Sequence, residues 1–405
     1  MKRVFYGWWL VAAYLLVAIV SWSLGTFGMG VYIHILAAHR QFSIGLVSSA
    51  VTVSYFVTAA GLLFAGTAID RYGPSLVIAT GGVLLGGVVA CIPWCGEAWQ
   101  VFLLMVFMGL GRALLSTTTI STGLAPWFER HQGRAISMAL LGASVGGIAG
   151  TPLLLGGIAL FGFKIALFLA GTAGLILLLP IAIFVLKRRP QDLGLHPDGI
   201  EPSTARASSQ SRWTRVGAMK TLRFQTQLVA FGLGMMVQIA FLSHHVSITV
   251  GIMGERGAAL AVSAAAMAAF GGRILLARYS DRIDVRLTAC FVLVVATAAL
   301  VGMAIFNGPT GLMISSVAYG LTIGNMTTLS PIIVRREFGA ASFGAIYGIA
   351  GSLIGFAMAF GPGLFGAIRD AYGSYSPALL LAAGLNMVAA VVLIWGRTRP
   401  LPSPS

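Results

Sequence analysis

The sequence predicts an all-α membrane protein of twelve transmembrane helices in two six-helix bundles. Four observations carry that expectation. Of 405 residues, 58% are hydrophobic and only 9% charged, with a mean hydropathy of +0.91, outside the composition of a soluble domain. Apolar runs of about 20 to 30 residues recur along the whole chain, each long enough to cross a hydrocarbon core of roughly 30 Å at about 1.5 Å per residue. Strand-length alternation is absent, which points to helices and not a β-barrel. Finally, the two halves of the chain echo each other.

Apolar runs between charged or Pro/Gly breaks give segments at 5–37, 43–69, 75–95, 99–127, 135–162, 163–186, 223–253, 257–279, 287–306, 310–334, 342–368 and 376–396. The first follows Met1, Lys2 and Arg3 and stays apolar for more than twice the roughly 7 to 15 residues of a signal-peptide core, so it reads as a retained helix. Cys91 and Cys95 flank Pro93 at the end of the third, and Cys290 opens the ninth; their spacing suits no metal site, and they read as apolar filling. No cofactor is expected. Between the sixth and seventh segments lies a polar, Pro- and Ser-rich stretch. The expected organisation is a bundle over 1–187, a cytoplasmic linker over 188–221 and a second bundle over 222–405.

The formal net charge of +15 would suggest nucleic acid in a soluble protein. Membrane topology accounts for it instead. With the N-terminus in the cytoplasm, 20 of the 26 basic residues fall at cytoplasmic ends and loops, whereas the outer loops hold Arg40, Lys164, Arg256 and Arg369. This asymmetry predicts a multi-pass protein of the cytoplasmic (inner) membrane with both termini in the cytoplasm. The lipid bilayer is its partner, and nucleic acid is not.

The internal echo carries more information. AIDRYGPSLV (68–77) follows the second segment and YSDRIDVRLT (279–288) the eighth, with Asp70 and Asp281 in matching places. Each is succeeded by a charged loop and a Gly-rich helix; Asp70 to Glu129 is 59 residues and Asp281 to Glu337 is 56. A parallel six-helix repeat is the signature of a carrier whose halves rock about a central site. Asp70 and Arg71 stand at a helix end, where a carboxylate can accept from free N–H groups or pair with a facing arginine, and Gly73 permits a tight turn. Such charges either gate the carrier or merely set topology.

Over essentially its whole length the chain resembles the major facilitator superfamily. Within it, the chain is similar to bacterial relatives of the monocarboxylate transporters and oxalate/formate antiporters. The matching pieces are GTAIDRYGP in the loop after segment 2, YGWW (6–9), PWFERHQGRAISMALLGASVGG, GRILLARYSDR and FGPGLFGAIRDAYGSY (360–375). The resemblance implies a non-enzymatic carrier of small organic anions, foremost monocarboxylates, by alternating access with proton symport or anion exchange. It also implies a cytoplasmic gate formed by Asp70, Arg71, Gly73, Arg134, Asp281 and Arg282. The alternative is an exporter of hydrophobic drugs.

All eleven acidic residues fall in loops or at segment ends, while two arginines lie inside segments: Arg112 in the fourth and Arg273 in the eighth. A charge there costs several kcal/mol and faces a polar cavity or a partner. Arg273 lies about 12 Å of helix before Asp281, so it either snorkels to the interface or holds an anion. The resemblance places it at the arginine that binds substrate carboxylate, a pairing suited to a planar guanidinium. Arg112, some 18 Å and 22 Å from the ends of its segment, is too deep to snorkel easily; it is a second substrate contact, a fixed counter-charge or a residue bonded to carbonyls. The hydroxyls of Ser116 to Thr119 follow it.

His244 and His245 in the seventh segment offer a titratable group or a structural hydrogen bond. The resemblance favours His244 as cavity-lining, and a proton is the coupling partner it would bind. Asn325, near the depth of Arg273, is either its hydrogen-bonding neighbour or interhelical glue. Phe27, Tyr32, Phe356 and Phe360 would wall a bulkier amphipathic anion. The chain departs from the family in three places: the turn before Arg273 offers Ala269 and no acid, segment 1 has no lysine after Lys2, and segment 11 has no charge until Arg369.

Overall fold

The computed structural model describes residues 5–129, 131–188, 190, 196, 213–279, 284–306, 308–339 and 342–398. Regular structure among them is helical throughout. The principal helices are α1 (Tyr6–Trp22), α2 (Gly28–Arg40), α3 (Ile44–Cys91), α4 (Ala98–Leu114), α5 (Thr117–Leu124), α6 (Gln132–Pro180), α7 (Arg215–Lys220), α8 (Leu222–Tyr279), α9 (Val285–Ile305), α10 (Pro309–Phe338), α11 (Phe343–Tyr372) and α12 (Ser376–Arg397).

Among the described residues ten stretches are long and apolar enough to cross a bilayer. Two of them, Gln132–Val185 and Leu222–Leu276, run 54 and 55 residues, roughly 80 Å if straight and far beyond one hydrocarbon core. Neither is straight. Gly162 (φ 74, ψ 159) and Gly254 (φ 66, ψ 176) interrupt α6 and α8 in a conformation essentially reserved for glycine. A Cβ on Gly157 would lie 3.6 Å from that of Ala166, nine residues on and about 13 Å away in an unbroken helix. In α8, Gly234 packs on Met326 while Ala265 packs on Gly320; about 46 Å of straight helix would separate the first members of those pairs and only about 9 Å the second. Both elements therefore double back, and the ten stretches make twelve crossings.

Two expected helices are broken where the sequence reading ran them straight. Segment 1 contains a π-turn, Ser23–Phe27, between α1 and α2, whose Leu24 carbonyl accepts from the Tyr32 hydroxyl at 2.9 Å. Segment 4 stops at Leu114 and restarts at Thr117, with the Ser116 hydroxyl accepting the Thr119 N–H. Consecutive Ser and Thr side chains compete with the helical ladder for backbone groups, which explains a break there.

By contacts the chain divides into two compact units, Met1–Phe42 with Val53–Arg206, and Ser43–Thr52 with Ala207–Ser405. In the first, Gly142 and Gly146 of α6 admit the backbone of α1 at Leu15 and Ile19, and the Ser23 hydroxyl donates to the Gly146 carbonyl at 3.2 Å. In the second, Phe231, Leu293, Leu329 and Leu393 pack α8, α9, α10 and α12 around one core. The end of the stretch read as linker is ordered: Trp213 and Ala218 are buried with Phe224, Val334 and Phe338. Trp213 is the apolar anchor that a purely compositional reading of that stretch passes over.

Candidate functional site

Within the second unit Arg273 lies in a seam between α8 and α10. Gly272 and Gly324 make the seam narrow: a Cβ on Gly324 would sit 2.5 Å from Arg273 Cγ, and one on Gly272 3.3 Å from Asn325 Nδ2. Arg273 is half-buried. Its Nε donates to the Gly324 carbonyl at 3.4 Å and its Nη2 to the Thr327 hydroxyl at 3.5 Å. Asn325 spends its Nδ2 on the Leu321 carbonyl at 3.0 Å, and its buried Oδ1 has no acceptor role filled among the described residues. The structure thus brings Arg273, Asn325 and Thr327 together on one seam, with the guanidinium anchored along its Nε edge.

Arg112 belongs to the first unit. It is 9% exposed and lies two residues before the break in α4. Its guanidinium carbon stands 4.0 Å from the Tyr55 ring centroid, within cation–π range. Gly25 of the π-turn lets the side chain pass, since a Cβ there would approach Arg112 Cγ at 3.0 Å. Of the expected aromatic wall, Phe27 and Tyr32 are buried in this unit, whereas Phe356 and Phe360 of α11 are exposed in the other.

His244 is completely buried in the second unit. Its Nε2 is 3.0 Å from the Pro362 carbonyl and 3.3 Å from the Ser48 hydroxyl. A carbonyl can only accept, so Nε2 carries a proton. Nδ1, 3.0 Å from the Tyr375 hydroxyl, then accepts in the neutral ring. Ser48 passes its own proton to the Ile44 carbonyl at 2.6 Å. Alongside, Asp370 accepts from the Gly45 N–H at 2.9 Å and Thr52 from the Gly363 N–H at 2.8 Å. Burial holds the Tyr375 hydroxyl well above the ordinary phenol range. His245 faces elsewhere, bonding Ser316 at 2.9 Å and lying against Phe241. From the Gly254 turn His244 is about 15 Å away along one arm of α8 and Arg273 about 28 Å along the other.

Of the expected gate residues, Asp281 and Arg282 lie outside the described residues, and Asp70 falls on α3. Arg71 is exposed over the Tyr72 ring, and Arg134 is exposed over Trp8. Gly73 takes φ 80, ψ 158, so the turn its residue type suggested is present.

A charged cluster at one end of the second unit escaped the sequence reading. Glu337 accepts from Arg286 Nε at 2.7 Å and Nη2 at 3.0 Å, with Arg223 at 3.5 Å. Asp284 pairs with Arg397 at 2.8 Å and caps α9 by accepting from the Arg286 and Leu287 N–H groups. These groups line a cavity of about 440 Å³. In the sequence Arg286 is one more of the basic residues at cytoplasmic ends and loops. The pairing of Asp281 with Glu337 by spacing hinted at Glu337, but nothing local marks Arg286 as its partner.

A chain of twelve apolar crossings in two units, with Arg112 and Arg273 inside apolar stretches, has the make-up of a multi-pass membrane transport protein. The chain belongs to the Major Facilitator Superfamily, whose family model matches residues 10–342; it is a transporter and not an enzyme. It is 30% identical over 344 residues to Monocarboxylate transporter 11 of Homo sapiens, covering 79% of this chain and 69% of that protein. To Monocarboxylate transporter 13 of Bos taurus it is 23% identical over 399 residues, covering 96% and 89%. Among solved structures it is similar to the nucleoside transporter NupG, with a TM-score of 0.77 at 14% identity over 98% of this chain and all of that one. That likeness speaks for the fold alone.

Proposed function

We propose that this transporter carries small organic anions, monocarboxylates first among them, by alternating access in the cytoplasmic membrane with both termini in the cytoplasm, coupled to proton symport or anion exchange. The observation that carries the reading is Arg273, a permanently charged guanidinium held by α10 in a glycine-narrowed seam beside Asn325 and Thr327. A planar cation fixed along one edge is suited to a carboxylate, which it can hold by two parallel hydrogen bonds. The relatives named monocarboxylate transporters support the same substrate class. Asn325 and Thr327 would take up the remaining carboxylate lone pairs or the substituent beside it.

In this reading His244 does not touch the carboxylate. Its Nδ1 and the Tyr375 hydroxyl are where a coupled proton would be exchanged, since Tyr375 can reverse its hydrogen bond when the ring is charged. Asp70, Arg71, Gly73, Arg134, Asp281 and Arg282 act as the cytoplasmic gate, making contacts in one state that are lost in the other.

The test is thermal stabilisation of the purified protein in detergent by a panel of carboxylic acids, their methyl esters and cationic drugs, on wild type and Arg273→Ala. A ligand at 100 times its Kd should add about 2.7 kcal/mol to stability. Stabilisation by an acid and not by its ester, lost in Arg273→Ala, supports the reading. Acids without effect, with apolar cations stabilising both proteins alike, would replace it by drug export.

A further inference from the structure

We infer that Arg112 is a second oxyanion seat, built wholly within the first unit and able to hold one carboxylate or an anion of similar size. This rests on the anion reading above and deepens it, because it assigns that ligand chemistry to a place separate from Arg273. Three independent features converge there. Arg112 is nine-tenths buried, and its Nη1 is buried with no acceptor among the described residues. The guanidinium lies over the face of Tyr55, which attracts a cation without neutralising it. The hydroxyl of Tyr55 itself, and that of Ser54 before it on α3, are likewise buried and without a partner among the described residues.

Position strengthens the case. Irregular backbone at membrane depth is tolerated where it is buried in protein or lines a polar cavity. Two irregular stretches meet Arg112: the π-turn at Gly25, which touches its side chain, and the end of α4, two residues further along. π-turns are frequent at functional sites. Among the described residues Arg112 forms no ion pair with a carboxylate. Along the helices Asp70 is about 22 Å from Tyr55, and Glu97 is about 22 Å from Arg112. A buried cation with an uncommitted N–H, lying over a ring whose hydroxyl is also uncommitted, offers the two oxygens of a carboxylate the donors they need.

The seat and a structural brace make opposite forecasts for removing the charge. If Arg112 braces the helices, Arg112→Gln melts several degrees below wild type without any ligand. If it is an anion seat, Arg112→Gln without ligand melts no lower than wild type, because an uncompensated buried charge has been removed. The second measurement uses propionate, succinate and methyl propionate as probes in thermal shift on wild type, Arg273→Gln, Arg112→Gln, Tyr55→Phe and the Arg112/Arg273 double variant. The expected result is that an acid still raises the melting temperature of Arg273→Gln by a few degrees, less so in Tyr55→Phe, and not at all in the double variant. Arg112→Gln responding to every acid as wild type does would overturn the seat and leave Arg273 as the binding group. Loss of response in Arg112→Gln alone, with Arg273→Gln unaffected, would overturn the role of Arg273 and keep this one. Proteins that all ignore the acids would overturn both.

Discussion

Arg286 and Glu337 show what a charge pair is worth when it is taken out of water. Arg286 is 4% exposed and its carboxylate partner 11%, so removing one member strands the other. Glu337→Gln is expected to lose about 3–5 kcal/mol of stability, whereas Glu337→Gln combined with Arg286→Met should regain most of it. Chemical unfolding in detergent measures both, and a double variant as weak as the single one would show that packing and not charge is responsible. Asp284, on the same cluster, is partly exposed and behaves differently. Burial would raise its pKa, but the Leu287 N–H, the Arg397 guanidinium and the Arg286 N–H outweigh it and hold the carboxyl below its usual range. A depressed folded pKa adds stability that is present above the unfolded value of about 3.9 and disappears as pH falls through the lower folded value. Melting curves of wild type and Asp284→Asn should therefore differ at pH 6, begin to approach each other only below about pH 4 and meet once pH has fallen through the lower folded value; a gap that persisted further into acid would assign the effect to the cap alone. Arg273 and Arg112 were legible in the sequence because a charge inside an apolar run is anomalous wherever it stands. Their surroundings were not: Gly324 and Thr327 are more than fifty positions from Arg273, and no local pattern announces a partner so far away. For His244 the residue type suggested titration, but only tertiary structure reveals that both ring nitrogens are engaged.

The helices themselves follow from hydropathy, and their ends from glycine and proline. Gly162 and Gly254 could be read as breaks because apolar runs on either side were each long enough to cross alone. Their conformation fixes how sharp the turns are. A residue with a Cβ at φ 74, ψ 159 is strained even though nothing stands within 4 Å of the position, so the cost is conformational and not a clash. Gly162→Ala should lower stability by about 1–3 kcal/mol, visible as a drop in melting temperature with transport of whatever substrate is found retained. A neutral substitution would mean that the turn relaxes to an ordinary conformation. The π-turn at Ser23–Phe27 was not legible, since SLGTF reads as ordinary membrane helix. It exists because the Arg112 side chain crosses Gly25 and Tyr32 takes up the Leu24 carbonyl, and both are facts about neighbours. The break after Leu114 is intermediate: four consecutive hydroxyl residues weaken a helix, but they do not say where it will yield.

At the scale of the whole chain, the repeat of Asp70 by Asp281 and of Glu129 by Glu337 makes a two-part carrier legible in the sequence, while the assignment of Ser43–Thr52 to the second unit is not, since those residues continue an apolar run in the first half. The distribution of charge makes the last prediction. Residues 164 and 256 follow the Gly162 and Gly254 turns and are exposed. Between these turns the chain crosses twice, once on either side of the central stretch, so both turns must face the same compartment whichever way the protein is inserted. Arg188 and Arg278, also exposed, sit one crossing away from them and must face the opposite compartment. With Cys91, Cys95 and Cys290 replaced by serine, single cysteines at Lys164, Arg256, Arg188 and Arg278 can be challenged with a membrane-impermeant maleimide on intact cells. Excess Lys and Arg are retained on the cytoplasmic side, so the first pair should label from outside and the second only after permeabilisation. The reverse pattern would keep the fold and invert the orientation. Labelling that split Lys164 from Arg256 would break the twelve-crossing topology, because an odd number of crossings would then separate the two turns.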